Sequence, residues 1–239
     1  MDNSMRFLVI QHSEKEHAGA FRSLFARDGH QLVTCNAPEQ IDIVDLNGID
    51  GLWVLGGPMQ VGQTDELPWL AREIEVIRHA VIDRKMPYFG ICLGHQLLAS
   101  VLGGKVSQAA ESEIGFLHVD KTGSPELLSG VSGRFPCFQW HSAEISQLPE
   151  GAEILAASGR CGIQAMQWGS TASSVQFHAE MDAHTLRDWY EIEGCEETLR
   201  QEIGHDAVDR VFDDLASLDT ELGNLQESLY SNWMSRLAT

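Results

Sequence analysis

Apolar residues along this chain alternate between short runs and helical stripes. Residues 6–11, RFLVIQ, form a compact apolar run, and in the following AFRSLFARDG the apolar positions 20, 21, 24 and 25 share one helical face. LVTC at 32–35 predicts a second strand, and GLWVLGG at 51–57 a third, cut short by paired glycines and Pro58. Pro68 opens a helix over 68–83, with apolar positions 70, 74, 77 and 81 at helical spacing. PYFGI at 87–91 is the next strand and HQLLASVLGG at 95–104 the next helix, with almost no loop between them. Strands this apolar are buried on both faces. Their alternation with helices predicts an α/β fold: a mostly parallel central sheet with helices on both faces, joined by right-handed crossovers.

From 105 to 180 the pattern changes to IGFLHVD, FPCFQWH, EILAAS, GIQAMQW and SSVQFH, short runs that predict an antiparallel extension of the same sheet. Beyond them, apolar residues at 208, 211, 215, 218, 222, 225, 229, 233 and 237 recur at steps of three or four. This is an amphipathic helix, with Gly223 as the expected point of interruption. The chain therefore divides into residues 1–182, a compact domain, and 183–239, a helical C-terminal extension. The apolar stripe of that extension suits packing against its own domain, or a homodimer formed through the C-terminal helices.

Charge narrows the partners. Lys and Arg number 16 against 35 Asp and Glu, a net charge of −19, and residues 183–239 carry four Arg against thirteen acids. Such a surface disfavours nucleic-acid backbones and anionic membranes. No apolar run approaches the twenty residues of a membrane span, and the first run is too short for a signal peptide. The five cysteines, at 35, 92, 137, 161 and 195, are odd in number and lack metal or disulfide spacing, so reduced thiols and a cytoplasmic location are expected. No metal or cofactor is implied, and no GxxxxGK[ST] segment is present to cradle a nucleotide.

The sharp junction between the strand at 87–91 and the next helix carries the candidate chemistry. In Gly90-Ile91-Cys92-Leu93-Gly94-His95-Gln96 the glycines permit a tight turn that projects Cys92 above the sheet edge, beside the positive end of a new helix. Late in the domain, SVQFHAE offers His178 as a base and Glu180 to orient it. A buried thiol, a strand-end histidine and a solvated acid are each ordinary singly, and only their combination points to a Cys-His-Glu triad. His12 and His17, flanking the loop after the first strand, are expected to face solvent, and Trp53 and Trp140 to serve packing.

GICLGHQ at 90–96, the upstream LGGP at 55–58 and the late VQFHAE together resemble the class I glutamine amidotransferases, within which the glutaminase domain of GMP synthase is the most similar. The resemblance spans residues 6–182, and the ordered set of three motifs is far more specific than a lone GxCxG. It implies a flavodoxin-like catalytic domain in which Cys92 is the nucleophile, His178 the base and acid, and Glu180 its orienting partner. Backbone N–H groups of Gly57 and Leu93 would form the oxyanion hole, and Gln96 would lie near bound glutamine. Glu113, in E113-I114-G115, and His141, in Q139-W140-H141-S142, match stretches lining the substrate pocket. Ala143 replaces an acidic residue common after that histidine, and Ala179 replaces a common proline. The implied activity is hydrolysis of glutamine or a related γ-glutamyl amide, releasing ammonia or an amine, with a separate synthetase to accept any ammonia used productively. Alternatives are a γ-glutamyl peptide hydrolase acting on glutathione-like substrates and a noncatalytic interaction protein that retains the fold.

Overall fold

The computed structural model describes residues 4–238. Its first half alternates strands and helices: β1 (Arg6–Gln11), α1 (Phe21–Arg27), β2 (Gln31–Asn36), the one-turn α2 (Ala37–Gln40), β3 (Gly51–Val54), α3 (Pro68–Arg78), β4 (Tyr88–Ile91) and α4 (Leu93–Val101). Then come β5 (Lys105–Lys121), β6 (Arg134–Gln147), β7 (Ala152–Ala157), β8 (Ala165–Trp168) and β9 (Ala172–Val175), followed by α5 (Ala183–Tyr190), α6 (Cys195–Ile203) and α7 (Ala207–Ser235). Among the described residues one nine-stranded sheet runs in the order β2-β1-β3-β4-β9-β8-β7-β5-β6. The first five strands of that order pair in parallel and the rest antiparallel, as the change in sequence pattern predicts.

Side chains alternate across the sheet at a period of two. Phe7 and Val9 of β1 join Phe21, Phe25, Trp53, Phe89 and Trp233 on the face covered by α1 and α7. Leu8 and Ile10 join Leu52, Leu70, Ile77 and Leu97 on the face covered by α3 and α4. Both faces being buried accounts for the unbroken apolar runs of the parallel strands. A third cluster, around Phe138, Met181, Leu186, Trp189, Val211 and Leu215, joins the C-terminal helices to β6.

Three elements differ from their sequence-based outlines. The helix expected over 68–83 is regular only to Arg78 and continues as a five-residue π turn, His79–Asp83. β5 and β6 are far longer than the apolar runs that mark them, and their pairing is irregular between Gln108 and Glu113, in a polar, largely exposed ribbon without alternation. α7 passes straight through Gly223, which is exposed with nothing near its would-be side chain. A helical glycine costs about 1 kcal/mol. Burial of each large apolar side chain contributes roughly 1.5–3 kcal/mol, and Leu222, Leu225, Leu229, Tyr230 and Trp233 are all buried. The Trp233 indole N–H also donates to the Tyr88 carbonyl of β4 at 3.2 Å. The apolar stripe of α7 is thus occupied within the chain. Among the described residues no helix is long and apolar enough to cross a membrane.

Candidate active site

β4 delivers Cys92 to the start of α4 with φ 51° and ψ −102°, a left-handed conformation that a non-glycine residue adopts only under constraint. The constraint is close crossing on both sides. A Cβ on Gly90 would lie 2.6 Å from the Gly94 carbonyl oxygen, and one on Gly94 would lie 2.1 Å from that of Val54. The Cys92 N–H is tied to Val175 O of β9 at 2.9 Å, and the Tyr88 hydroxyl donates to Gly94 O at 2.7 Å. Leu93 is the first residue of α4, so its N–H has no acceptor within the helix.

His178 follows β9 and is held by its own N–H, which donates to Phe138 O of β6 at 2.8 Å. Its Nδ1 lies 2.7 Å from Glu180 Oε1, and both side chains are buried. Trp189 of α5 stands edge-on to the imidazole at 4.8 Å between ring centres. Gly56 marks where base and nucleophile meet: a Cβ there would be 2.8 Å from His178 Cε1 and 3.6 Å from Cys92 Cβ. Burial alone would lower the pKa of His178. The charge of Glu180 and the adjacent Cys92 overcome it and hold the imidazole well above its ordinary value. The arrangement suits a ring that receives a proton from sulfur and keeps it until a leaving group needs it. Around the sulfur, Gln176 Nε2 donates at 3.6 Å and the Trp140 carbonyl accepts the thiol proton at 3.9 Å.

Cys92 and His178 open into a cleft of about 540 Å³ that is also lined by Gly57, Gln96, His141, Trp189, Ile192 and Glu16. The Gln96 amide nitrogen donates to Ala143 O and Gln176 Oε1, so only its oxygen remains to face a substrate. Glu113, expected at the pocket wall, does not line the cleft. It lies behind His141, and its carboxylate accepts from His141 Nε2 at 3.1 Å, Gln164 Nε2 at 2.6 Å and Ser158 Oγ at 2.8 Å. Three donors fill it, so it orients His141 and holds no substrate. Trp53 is fully buried among aromatic rings, as expected of a packing residue, while Trp140 borders the cleft.

His12 and His17 do not face solvent; they are 5% and 8% exposed. His12 reaches Gly56 and Glu73, and His17 reaches Asp188. Glu73, Trp189 and Glu16 were invisible to motif reading, since each is brought to the site by an element far away in sequence. Burial raises the pKa of Glu16 to about 7, partly opposed by His12 and His178. Two clusters group metal-ligating atoms within 4.8 Å, His17 with His184 and Asp188, and Glu113 with His141 and Cys161. Neither has the chemistry of a ligand set. The Gly19 N–H donates to His17 Nδ1, so the proton sits on Nε2, where the metal would bind. In the second, the carboxylate is saturated and burial pushes the Cys161 thiol up to about 12.

Comparison with known proteins agrees with this geometry. The family description "Glutamine amidotransferase class-I" matches residues 21–190. The glutamine-hydrolysing subunit of GMP synthase from Sulfurisphaera tokodaii is 35% identical over 151 residues, covering 63% of this chain and 75% of that protein. The glutamine-hydrolysing GMP synthase of Ectopseudomonas mendocina is 35% identical over 162 residues, covering 61% of this chain and 29% of its own length. Among solved structures, a glutamine amidotransferase from Thermotoga maritima superposes with a TM-score of 0.88 at 26% identity, covering 99% of this chain and all of its own. One from Methylobacillus flagellatus gives 0.83 at 26% identity, covering 98% and 96%.

Proposed function

The chain belongs to the class I glutamine amidotransferases, and from that premise we propose that it hydrolyses the γ-carboxamide of glutamine, or of a related γ-glutamyl amide, through a thioester on Cys92. The observation carrying this reading is the meeting of a constrained Cys92 with a Glu180-paired His178 beside Gly56. His178 takes the thiol proton as sulfur attacks the amide carbon, and the charge arising on the carbonyl oxygen falls to the N–H groups of Gly57 and Leu93. His178 then gives its proton to the departing amine as the C–N bond breaks. Water, deprotonated by the same ring, cleaves the glutamyl thioester to glutamate and restores the thiol. Glu180 holds the ring's orientation and stabilises its cationic form in both halves. Gln96 and His141 form the wall against which the amino-acid part of the substrate rests, with Glu113 fixing His141.

Relatives named as glutamine-hydrolysing GMP synthase subunits support a further step, transfer of the ammonia to a separate synthetase. The cleft volume favours a second reading as well. At about 540 Å³ it lies within the ~300–1,000 Å³ range of small-molecule sites, which leaves room for a leaving group larger than ammonia, as in a γ-glutamyl peptide.

Comparing wild type with Cys92→Ala on glutamine, glutathione and several γ-glutamyl amides, with glutamate and each amine measured, tests these readings. Wild type is expected to release glutamate and ammonia from glutamine, and the variant neither. Preferential turnover of glutathione assigns the peptide-hydrolase reading, and slow glutamine turnover accelerated by a second protein identifies the synthetase arrangement. Absence of any acyl-enzyme with all of these substrates overturns the proposal.

A further inference from the structure

His12, outside the triad, touches the very peptide expected to stabilise the reaction's negative charge. It follows the last residue of β1, and its Nδ1 lies 2.7 Å from the Gly56 carbonyl oxygen. Its Nε2 lies 3.2 and 3.1 Å from the two carboxylate oxygens of Glu73 on α3. Both side chains are completely buried. A carbonyl and a carboxylate only accept hydrogen bonds, so both ring nitrogens must donate and the ring is an imidazolium. Burial alone would lower its pKa, but Glu73 and the Gly56 carbonyl outweigh burial and raise it.

We propose that His12, backed by Glu73, is a positioning residue that aims and polarises the Gly56–Gly57 peptide so that the Gly57 N–H serves the oxyanion; the inference rests on the thioester reading above. A trans peptide is planar with its C=O and N–H directed oppositely, so the bond that fixes Gly56 O fixes the Gly57 N–H on the other edge. The ring lies flat against that peptide: a Cβ on Gly57 would be 2.9 Å from His12 Cγ and Nδ1. On the opposite side Gly56 adjoins His178 and Cys92, so the peptide is clamped between His12 and the triad. A cation bonded to a peptide carbonyl withdraws electron density and strengthens the N–H as a donor. In a water-excluded cleft that donor counts fully toward the tetrahedral intermediate, with nothing to reorganise.

Two substitutions separate the ring's two bonds. In His12→Asn the side-chain nitrogen overlays Nδ1 and still donates to Gly56, while in His12→Gln it overlays Nε2 and reaches only Glu73. His12→Gln is expected to lower kcat by about 10²–10³, the usual effect of losing one oxyanion donor, with KM for glutamine nearly unchanged. His12→Asn is expected to recover most of that loss, and Glu73→Gln, which withdraws the charge but keeps a neutral partner, to fall between them. Affinity for glutamate γ-semialdehyde, which forms a tetrahedral adduct, is expected to fall in step with kcat. Alkylation of Cys92 by iodoacetamide, which forms no oxyanion, is expected to hold its rate. The Gly57 amide nitrogen resonance is expected to shift in His12→Gln and stay in His12→Asn. An unchanged kcat in His12→Gln, loss of alkylation together with kcat, or an unmoved Gly57 resonance overturns the proposal. A wild type inert toward every γ-glutamyl amide overturns the proposed function instead, and the Gly57 resonance then decides the positioning role by itself.

Discussion

Cys92 differs from the other four cysteines in its company more than in its burial. Burial pushes Cys35 and Cys195 up to about 11, Cys161 to about 12 and Cys137 well above the usual thiol range. Cys92 alone shares its surroundings with the imidazole of His178. Brief treatment with iodoacetamide at neutral pH, followed by peptide mass spectrometry, is therefore expected to label Cys92 first; labelling led by another cysteine contradicts the assignment. Glu16 gives a second test. Its folded pKa of about 7 exceeds the ordinary 4.5, so between those values the folded state binds more protons than the unfolded one and stability falls as pH rises. Converted at 1.36 kcal/mol per pKa unit, the loss is at most ~3 kcal/mol, and solvent screening at the cleft mouth reduces it further. Glu16→Gln is expected to raise Tm relative to wild type more at pH 8 than at pH 5, and an equal shift at both contradicts it. The triad was legible because each member sits inside a local pattern, a strand-to-helix turn or a strand end. His12 and Glu73 were not, because 61 residues separate them and nothing local to either announces a partner.

The parallel half of the sheet was legible at the level of elements because strands buried on both faces must be apolar throughout. The long β5–β6 ribbon was not, since its exposed pairs are held by backbone hydrogen bonds that demand no side-chain pattern. α7 was legible in its stripe but not in its continuity, where one exposed glycine is outweighed by the buried face around it. Trp233 is the strongest anchor of that face, packed at ring-centre distances of 5.5 Å from Phe7 and 5.3 Å from Trp53. Truncation of a buried tryptophan typically costs about 3–5 kcal/mol. Trp233→Ala is expected to lose an amount in that range in urea unfolding, and a loss below ~1 kcal/mol would mean that α7 is only loosely seated.

The whole molecule draws one site from distant parts of its chain: His12 after the first strand, Cys92 from the middle, His178 near the sheet's last strand, and Trp189 and Ile192 from the C-terminal helical region. That region does more than add charge, for it walls the outer cleft where a leaving group would emerge. Ile192→Trp is expected to depress kcat/KM for bulky γ-glutamyl amides by about tenfold or more, the scale of a misfit in an apolar pocket, while glutamine itself is spared. Equal losses on both would place Ile192 outside the leaving-group path.

The indole bond from Trp233 to Tyr88 ties the far end of the chain to the strand that carries the reactive sulfur. Ribosomes build proteins from the amino end, so that strand emerges long before the helix that seals it. Hydrolytic competence accordingly ripens only once the final helix is out, and an unfinished chain is kept from consuming substrate by the order in which it is made.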